Sequence, residues 1–299
     1  MPQPLAPAGP AEDEPDPIPL HEAYRTCESI VRSHYENFPV ASRFLSADRR
    51  LGLSAIYAFA RRADDVADAD APTRERLSGL DQIEEALLRA ADGAPRGPIF
   101  VALADSIDRF RLPVEPFLDL LAAFRRDARN ETFETWDDLL GYCRGSANTV
   151  GRLVLALHEV DDPEAVRESD AVCTALQLTN FWQDLGSDVA RGRLFIPAED
   201  LRRFGLRAED LARPAHRPEV TRLLAHECHA TAGLYERGRA IVGRVPLGLS
   251  IQLRATMAGG RAILRVVERD GWRVLKRRPT LGRAARAGIF LRALVGFHG

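Results

Sequence analysis

Acidic residues crowd two short stretches of the chain. The first is Tyr57-Ala-Phe-Ala-Arg61-Arg62-Ala-Asp64-Asp65-Val-Ala-Asp68. The second is Gln177-Leu-Thr-Asn180-Phe-Trp-Gln183-Asp184-Leu-Gly-Ser-Asp188. A helix turns about 100° per residue, so relative to Arg61 it places Asp64 near ~−60°, Asp68 near ~−20°, Asp65 near ~+40° and Tyr57 near ~−40°. In the second stretch, relative to Gln177, Asn180 falls near ~−60°, Asp184 near ~−20° and Asp188 near ~+20°. Each stretch therefore gathers its polar groups on one face. Like charges four residues apart cost a helix a few tenths of a kcal/mol. Two helices accept that cost in segments apolar enough to be buried, and a buried carboxylate without a partner is expensive. Something cationic is expected there. Carboxylate and amide oxygens suit Mg²⁺, which uses a few carboxylates together with waters and substrate phosphates. No cluster of His and Cys at ligand spacing competes for a softer metal. The competing reading is a pair of solvated acidic faces. It suits one such pair well and two of them, each in an apolar helix, less well.

The rest of the chain must hold these two segments together. Apolar residues recur every three to four positions from Leu20 onward, and alternating runs of Val, Ile and Thr are nearly absent, so the fold is expected to be all helical. Pro and Gly punctuate the pattern into helices over 20–36, 48–69, 74–92, 97–110, 114–128, 135–158, 162–190, 217–242, 247–270 and 280–297. The irregular stretch 191–216 has the length of a lid or binding loop. Residues 1–19, rich in proline and acid, read as a disordered tail, and 20–299 as one domain.

Composition excludes several classes. Among 299 residues, 41 Lys and Arg balance 43 Asp and Glu, a net charge of −2, which argues against nucleic acid as a partner. Cys27, Cys143, Cys173 and Cys228 lie far apart with no CxxC pair, as buried thiols of a reducing compartment do. No apolar run reaches the roughly 18 residues of a membrane span, and no basic-then-apolar leader opens the chain, so a cytoplasmic location is expected. The basic, amphipathic segment 281–299 suits either a peripheral contact with the inner membrane face or a packing helix.

With these residues in view, the sequence resembles the squalene/phytoene synthase family of head-to-head prenyl synthases, roughly from His34 to the Arg277 region. Asp64-Asp65-Val-Ala-Asp68 looks like the family's first Asp-rich motif, and Asn180-Phe-Trp-Gln-Asp184-Leu-Gly-Ser-Asp188 like its second. Tyr142-Cys-Arg-Gly-Ser-Ala-Asn-Thr-Val150-Gly151 resembles the Tyr-plus-small-residue helix between them. The resemblance implies a single-domain, all-α isoprenoid synthase bundle around a central cavity. It implies Mg²⁺ held by Asp64, Asp68, Asn180, Asp184 and Asp188, and a prenyl diphosphate contacted by His34, Asn37, Tyr57, Arg61 and Gln177. Within the family, Glu36-Asn37-Phe38-Pro39-Val40-Ala41-Ser42 and Asn180-Phe181-Trp182-Gln183-Asp184 resemble the hydroxysqualene synthase branch. That branch turns presqualene diphosphate and water into hydroxysqualene and diphosphate, toward squalene for hopanoids. The resemblance also implies functional coupling to a presqualene diphosphate synthase upstream and a flavin-dependent hydroxysqualene reductase downstream. Many members carry Arg before the first Asp of the second motif. Here that residue is Gln183, and the loss of a cation favours a substrate with one diphosphate.

On this reading Mg²⁺ and Arg61 stabilise the leaving diphosphate. Gly145, Ala147 and Gly151 leave room for the isoprenoid chain. No GxGxxG fingerprint offers a hydride donor, so water quenches the cation, with Tyr142 and Asn148 as groups to position it. In Arg191-Gly192-Arg193, the arginines, Arg193 above all, are candidates to close over the diphosphate; a surface turn is the alternative. Arg254 and Arg261 are candidates to face the cavity or to pair with the Asp motifs. His226 and His229 beside Cys228 lack a fourth zinc ligand. The rival functions are condensation of two prenyl diphosphates to presqualene diphosphate, squalene or phytoene, and, from another class, a non-catalytic helical protein that binds isoprenoids or membranes.

Overall fold

In the computed structural model, residues 18–33, 45–282 and 287–289 are described. His34, Asn37 and the Asn-Phe-Pro-Val-Ala-Ser segment, nearly all of the expected 1–19 tail and most of 281–299 lie outside them. The described residues form eleven α-helices and no strands. No helix among them is long and apolar enough to cross a membrane.

The N-terminal half comprises α1 (Leu20–Ser33), α2 (Ala47–Ala67), α3 (Thr73–Ala91), α4 (Pro98–Phe110) and α5 (Glu115–Ala128). Ser46 caps α2 by accepting the Arg49 N–H, satisfying one of the free donors of the first turn. The face of α2 opposite its acids buries Ala55, Phe59, Ala63 and Ala67. Phe59 meets Phe117 of α5 edge-on at 5.2 Å, so the first acidic face is held by a packed aromatic pair on the back of its own helix.

The C-terminal half comprises α6 (Trp136–Cys143), α7 (Thr149–Leu157), α8 (Pro163–Ala190), α9 (Ala198–Arg203), α10 (Arg217–Arg237) and α11 (Leu247–Asp270). Asp162 caps α8, with Pro163 at its first position, where a missing N–H costs nothing. Trp182 is the largest fully buried side chain, and its indole N–H donates to Thr231 of α10 at 2.9 Å. That anchor turns Asn180, Asp184 and Asp188 away from α10. Helix α7 joins the halves: Leu153 and Leu157 pack into the N-terminal cluster and Leu155 into the C-terminal one.

The single helix expected over 135–158 is three pieces. Between α6 and α7 lies a π-helical turn, Arg144–Asn148; such turns insert an extra residue without ending the helix. Gly145 and Gly151 do not open room for an isoprenoid. A Cβ on Gly145 would stand 3.2 Å from the Asp119 carbonyl oxygen, and one on Gly151 would stand 2.6 Å from the Cys173 sulfur. Both glycines serve close packing, against α5 and α8. The expected helix 217–242 ends at Arg237 and continues as a 3₁₀ turn, Arg239–Gly243. The stretch 191–216 contains α9 and two short 3₁₀ turns.

Candidate active site

On α2, Arg61 reaches forward along its own helix. It donates to Asp64 at 3.0 Å and pairs with Asp65. Tyr57 lies one turn back; burial raises its pKa, the Arg61 cation opposes, and the two acids add to the rise. Burial also raises the pKa of Asp64; Asp68 adds to the shift and Arg61 opposes it. On α8, burial lifts Asp188 to about 6, with Asp184 adding repulsion and Arg193 countering it. Both faces thus carry carboxylates that want a cation, as the spacing implied.

The loop after α8 supplies one. Gly192 has φ 75°, a left-handed conformation that glycine adopts without steric cost. The turn lets the Arg193 N–H bond the Asp188 carbonyl at 2.8 Å, while its side chain crosses to α2 and donates to Asp68 at 2.6 Å. Arg193 also faces Asp127 and Asp188. Phe195 stacks flat on Phe181 of α8, centroids 3.9 Å apart. The loop is therefore tied down between the two acidic helices rather than a surface turn. Arg191, offered alongside it, is exposed.

Tyr142 is buried, and its hydroxyl donates to Asp127 at 2.8 Å. Asp127, at the end of α5, is a site residue that the sequence reading missed. Burial pushes it to about 7, against the help of the Tyr142 hydrogen bond and Arg193, with Asp68 and Asp64 adding repulsion. It lies seven residues after Leu120 and four after Ala123, both buried; an acid on an apolar stripe was the available signal. Tyr142 is held well above its ordinary range, first by burial and then by Asp127.

Other candidates are placed differently. Asn148, in the π-helical turn, is buried, and its amide oxygen accepts the Thr174 hydroxyl at 2.9 Å. Gln177 is half-buried and Asn180 exposed on α8. Arg261 pairs with Glu236 of α10 rather than with either Asp motif. His226 pairs with Asp200 at 3.6 Å, not with His229 or Cys228. Gln183 turns from the acids to donate to the Pro279 carbonyl at 2.7 Å. The second acidic pair nevertheless has a cation, because Arg278 grips Asp184 through Nε and, at 3.1 Å, through Nη2. The inference that Gln183 leaves this motif short of a cation is corrected by that contact. A cavity of about 340 Å³ opens on the Arg62–Asp65 flank of α2, one side of Arg61, and reaches Arg76.

Among the described residues, no three His, Cys, Asp or Glu side chains converge as a metal cage. Mg²⁺ does not need one, since it is held by one or two carboxylates with waters and phosphate oxygens. Asp64 with Asp68 and Asp184 with Asp188 each offer such a pair of hard oxygen donors, one helical turn apart. The donor set fits.

Residues 31–285 match the squalene/phytoene synthase family. The chain belongs to that family. The solved structure of squalene synthase HpnC from Alicyclobacillus acidocaldarius superposes with a TM-score of 0.80 at 42% identity, covering 85% of this chain and 97% of that one. The hydroxysqualene synthase of Zymomonas mobilis is 38% identical over 60% of each chain. The phytoene synthase of Mycobacterium tuberculosis is 35% identical over 63% of this chain and 62% of its own. The matches thus span about three fifths of these two relatives' lengths. The fold is the all-helical isoprenoid synthase type that the resemblance implied.

Proposed function

We propose that this enzyme converts presqualene diphosphate and water to hydroxysqualene and diphosphate. The observation that carries the reading of α2 and α8 as a diphosphate site is the set of three arginines from separate elements, Arg61, Arg193 and Arg278, each held against an acid of α2 or α8. A diphosphate entering between the helices would find guanidinium donors on several sides, in the bidentate chemistry that phosphate oxygens favour. Asp64, Asp68, Asp184 and Asp188 would hold Mg²⁺, which when bound adds positive charge opposite the leaving oxygens. The chain's own contribution is to orient the diphosphate and to stabilise the charge that grows on it as the carbon–oxygen bond breaks. Tyr142 and Asp127 form a polar pair beside the aromatic wall of Phe133, Phe181 and Phe195, suited to hold a water where a cation is captured. The likeness to the Zymomonas hydroxysqualene synthase supports this branch.

A second reading, condensation of two prenyl diphosphates, is favoured by the likeness to the Mycobacterium phytoene synthase and by Arg278, which restores a cation to the second motif. The test is incubation with Mg²⁺ and either presqualene or farnesyl diphosphate, with the lipids analysed by mass spectrometry. Hydroxysqualene from the first, with the second untouched, is expected. Consumption of farnesyl diphosphate would move the enzyme to the condensing branch. The product is too apolar for water, and a peripheral membrane contact through 281–299 is proposed to receive it. Liposome flotation with and without those residues tests that contact.

A further inference from the structure

Gln183 and Asp184 are neighbours on α8, and both hold the same C-terminal segment. Gln183 is buried, and its amide N–H donates to the Pro279 carbonyl. Asp184 takes the Arg278 guanidinium through both of its oxygens. A third contact lies one turn along: a Cβ on Gly186 would come within 2.8 Å of the carbonyl oxygens of Val274 and Leu275. Only glycine lets the 3₁₀ turn Gly271–Leu275 lie so near α8. Upstream, the Trp272 N–H bonds the Thr221 hydroxyl at 3.3 Å, and Arg217 stacks on the Trp272 ring at 3.9 Å. The segment 271–279 is thus fixed before Arg278 by Thr221 and Gly186, and after it by Gln183. Proline presets φ at 279, so one hydrogen bond to its carbonyl fixes much of the local chain direction.

We propose that Gln183 is a positioning residue for diphosphate binding, acting through Pro279 to hold Arg278 as the cation of the second acidic pair. The proposal rests on the reading of α2 and α8 as a diphosphate site. Glutamine suits the task because a neutral amide satisfies a buried carbonyl without bringing a second charge beside Asp184. An arginine at 183 could serve the acids itself. Here that work passes to a residue 95 positions further along the chain, so the site is complete only when the C-terminal segment is docked.

The test is calorimetric titration of inorganic pyrophosphate with Mg²⁺ into the full chain and its variants. A charge-assisted contact is worth enough that Arg278→Met is expected to weaken binding about tenfold or more. Gln183→Met, which keeps size and loses the donor, is expected to weaken it by about threefold to tenfold, through loss of one neutral hydrogen bond. The double variant is expected to bind no more weakly than Arg278→Met alone, because Gln183 acts through Arg278. Arg278→Lys is expected to recover part of the loss. Gly186→Ala, which displaces the segment without touching either side chain, is a second route to the same loss and guards against poor folding of Gln183→Met. Additive losses in the double variant, or unchanged affinity in Gln183→Met and Gly186→Ala, would overturn the proposal. If Asp64→Asn and Asp188→Asn also leave pyrophosphate binding unchanged, the diphosphate reading itself fails. If those two abolish it while Gln183→Met does not change it, only the role of Gln183 fails.

Discussion

Asp127 should make the fold less stable as pH rises, and Asp127→Asn should remove that dependence. In the folded chain its carboxyl is pushed from 3.8 to about 7, chiefly by burial. The folded state therefore holds the proton more tightly than the unfolded chain. Below about pH 4 the proton is bound in both states and Asp127 contributes no pH dependence. From about pH 4 to about pH 7 only the unfolded state has released it, so stability falls by about 1.4 kcal/mol per pH unit, and the loss levels off above that. Three units give a ceiling of about 4 kcal/mol. Asparagine keeps an oxygen to accept the Tyr142 hydroxyl but carries no charge to desolvate. The variant is expected to gain about 2–4 kcal/mol over the wild type at pH 8 and nothing at pH 4. Urea denaturation at 25 °C, with EDTA present and no pyrophosphate, measures both chains across this range. Subtracting one from the other cancels the titration of Asp188 and Glu227. A difference that does not change with pH, or that shrinks as pH rises, would refute the assignment of a costly buried charge to Asp127.

Arg193→Ala should lower turnover by about tenfold or more, since it removes a charge-assisted donor to the leaving group; unchanged turnover would leave the loop a purely structural tie. Glu227, fully buried with both carboxyl oxygens unbonded among the described residues, is lifted to about 9 by burial, with Asp200 adding repulsion. Glu227→Gln should therefore raise stability above about pH 5 by an amount that grows with pH, and a flat difference in the same denaturation series would show that the carboxyl is solvated. Gly151→Ala should cost about 1–3 kcal/mol by overpacking against Cys173, visible as a lowered Tm with the product profile unchanged. Asn148→Leu should alter the product distribution while diphosphate release persists if Asn148 positions the quenching water. An unaltered profile would confine it to its bond with Thr174.

The two acidic faces were legible because each motif lies within one helix, where spacing alone fixes direction. The same logic failed wherever a partner comes from elsewhere in the chain. Asp127 is a lone acid whose mate, Tyr142, is on another helix. Arg278 reads as one of a run of basic residues, and only the docking of 271–279 on Gly186 aims it at Asp184. The same holds for Gln183: in the sequence position 183 reads as a charge lost, whereas the fold uses it for a hydrogen bond to Pro279. The π-helical turn escaped because it keeps the apolar periodicity of its neighbours while shifting it by one residue. Glycine misled in the other direction. Gly145 and Gly151 read as open space, and the fold fills that space with the Asp119 backbone and the Cys173 side chain.

The charges of the site imply an exchange. Asp64, Asp68 and Asp184 each already have an arginine. A diphosphate arriving between α2 and α8 competes for those guanidiniums, and each one it takes uncovers a carboxylate. Uncovered acids facing one another repel. A divalent cation brought in with the substrate would neutralise the acids that the arginines leave, so affinity for pyrophosphate should depend steeply on Mg²⁺. The three arginines are not equivalent in this exchange. Arg61 swings on its own helix, and only side-chain torsions change. Arg193 and Arg278 ride on a loop and a C-terminal segment, each pinned by packing, Phe195 on Phe181 and Gly186 beneath Leu275. Loosening either pin should therefore weaken pyrophosphate binding more than it weakens the fold, and comparing Gly186→Ala in calorimetry and in urea denaturation decides it. A loss of stability without a loss of affinity would mean that Arg278 finds the diphosphate whether or not its segment is docked.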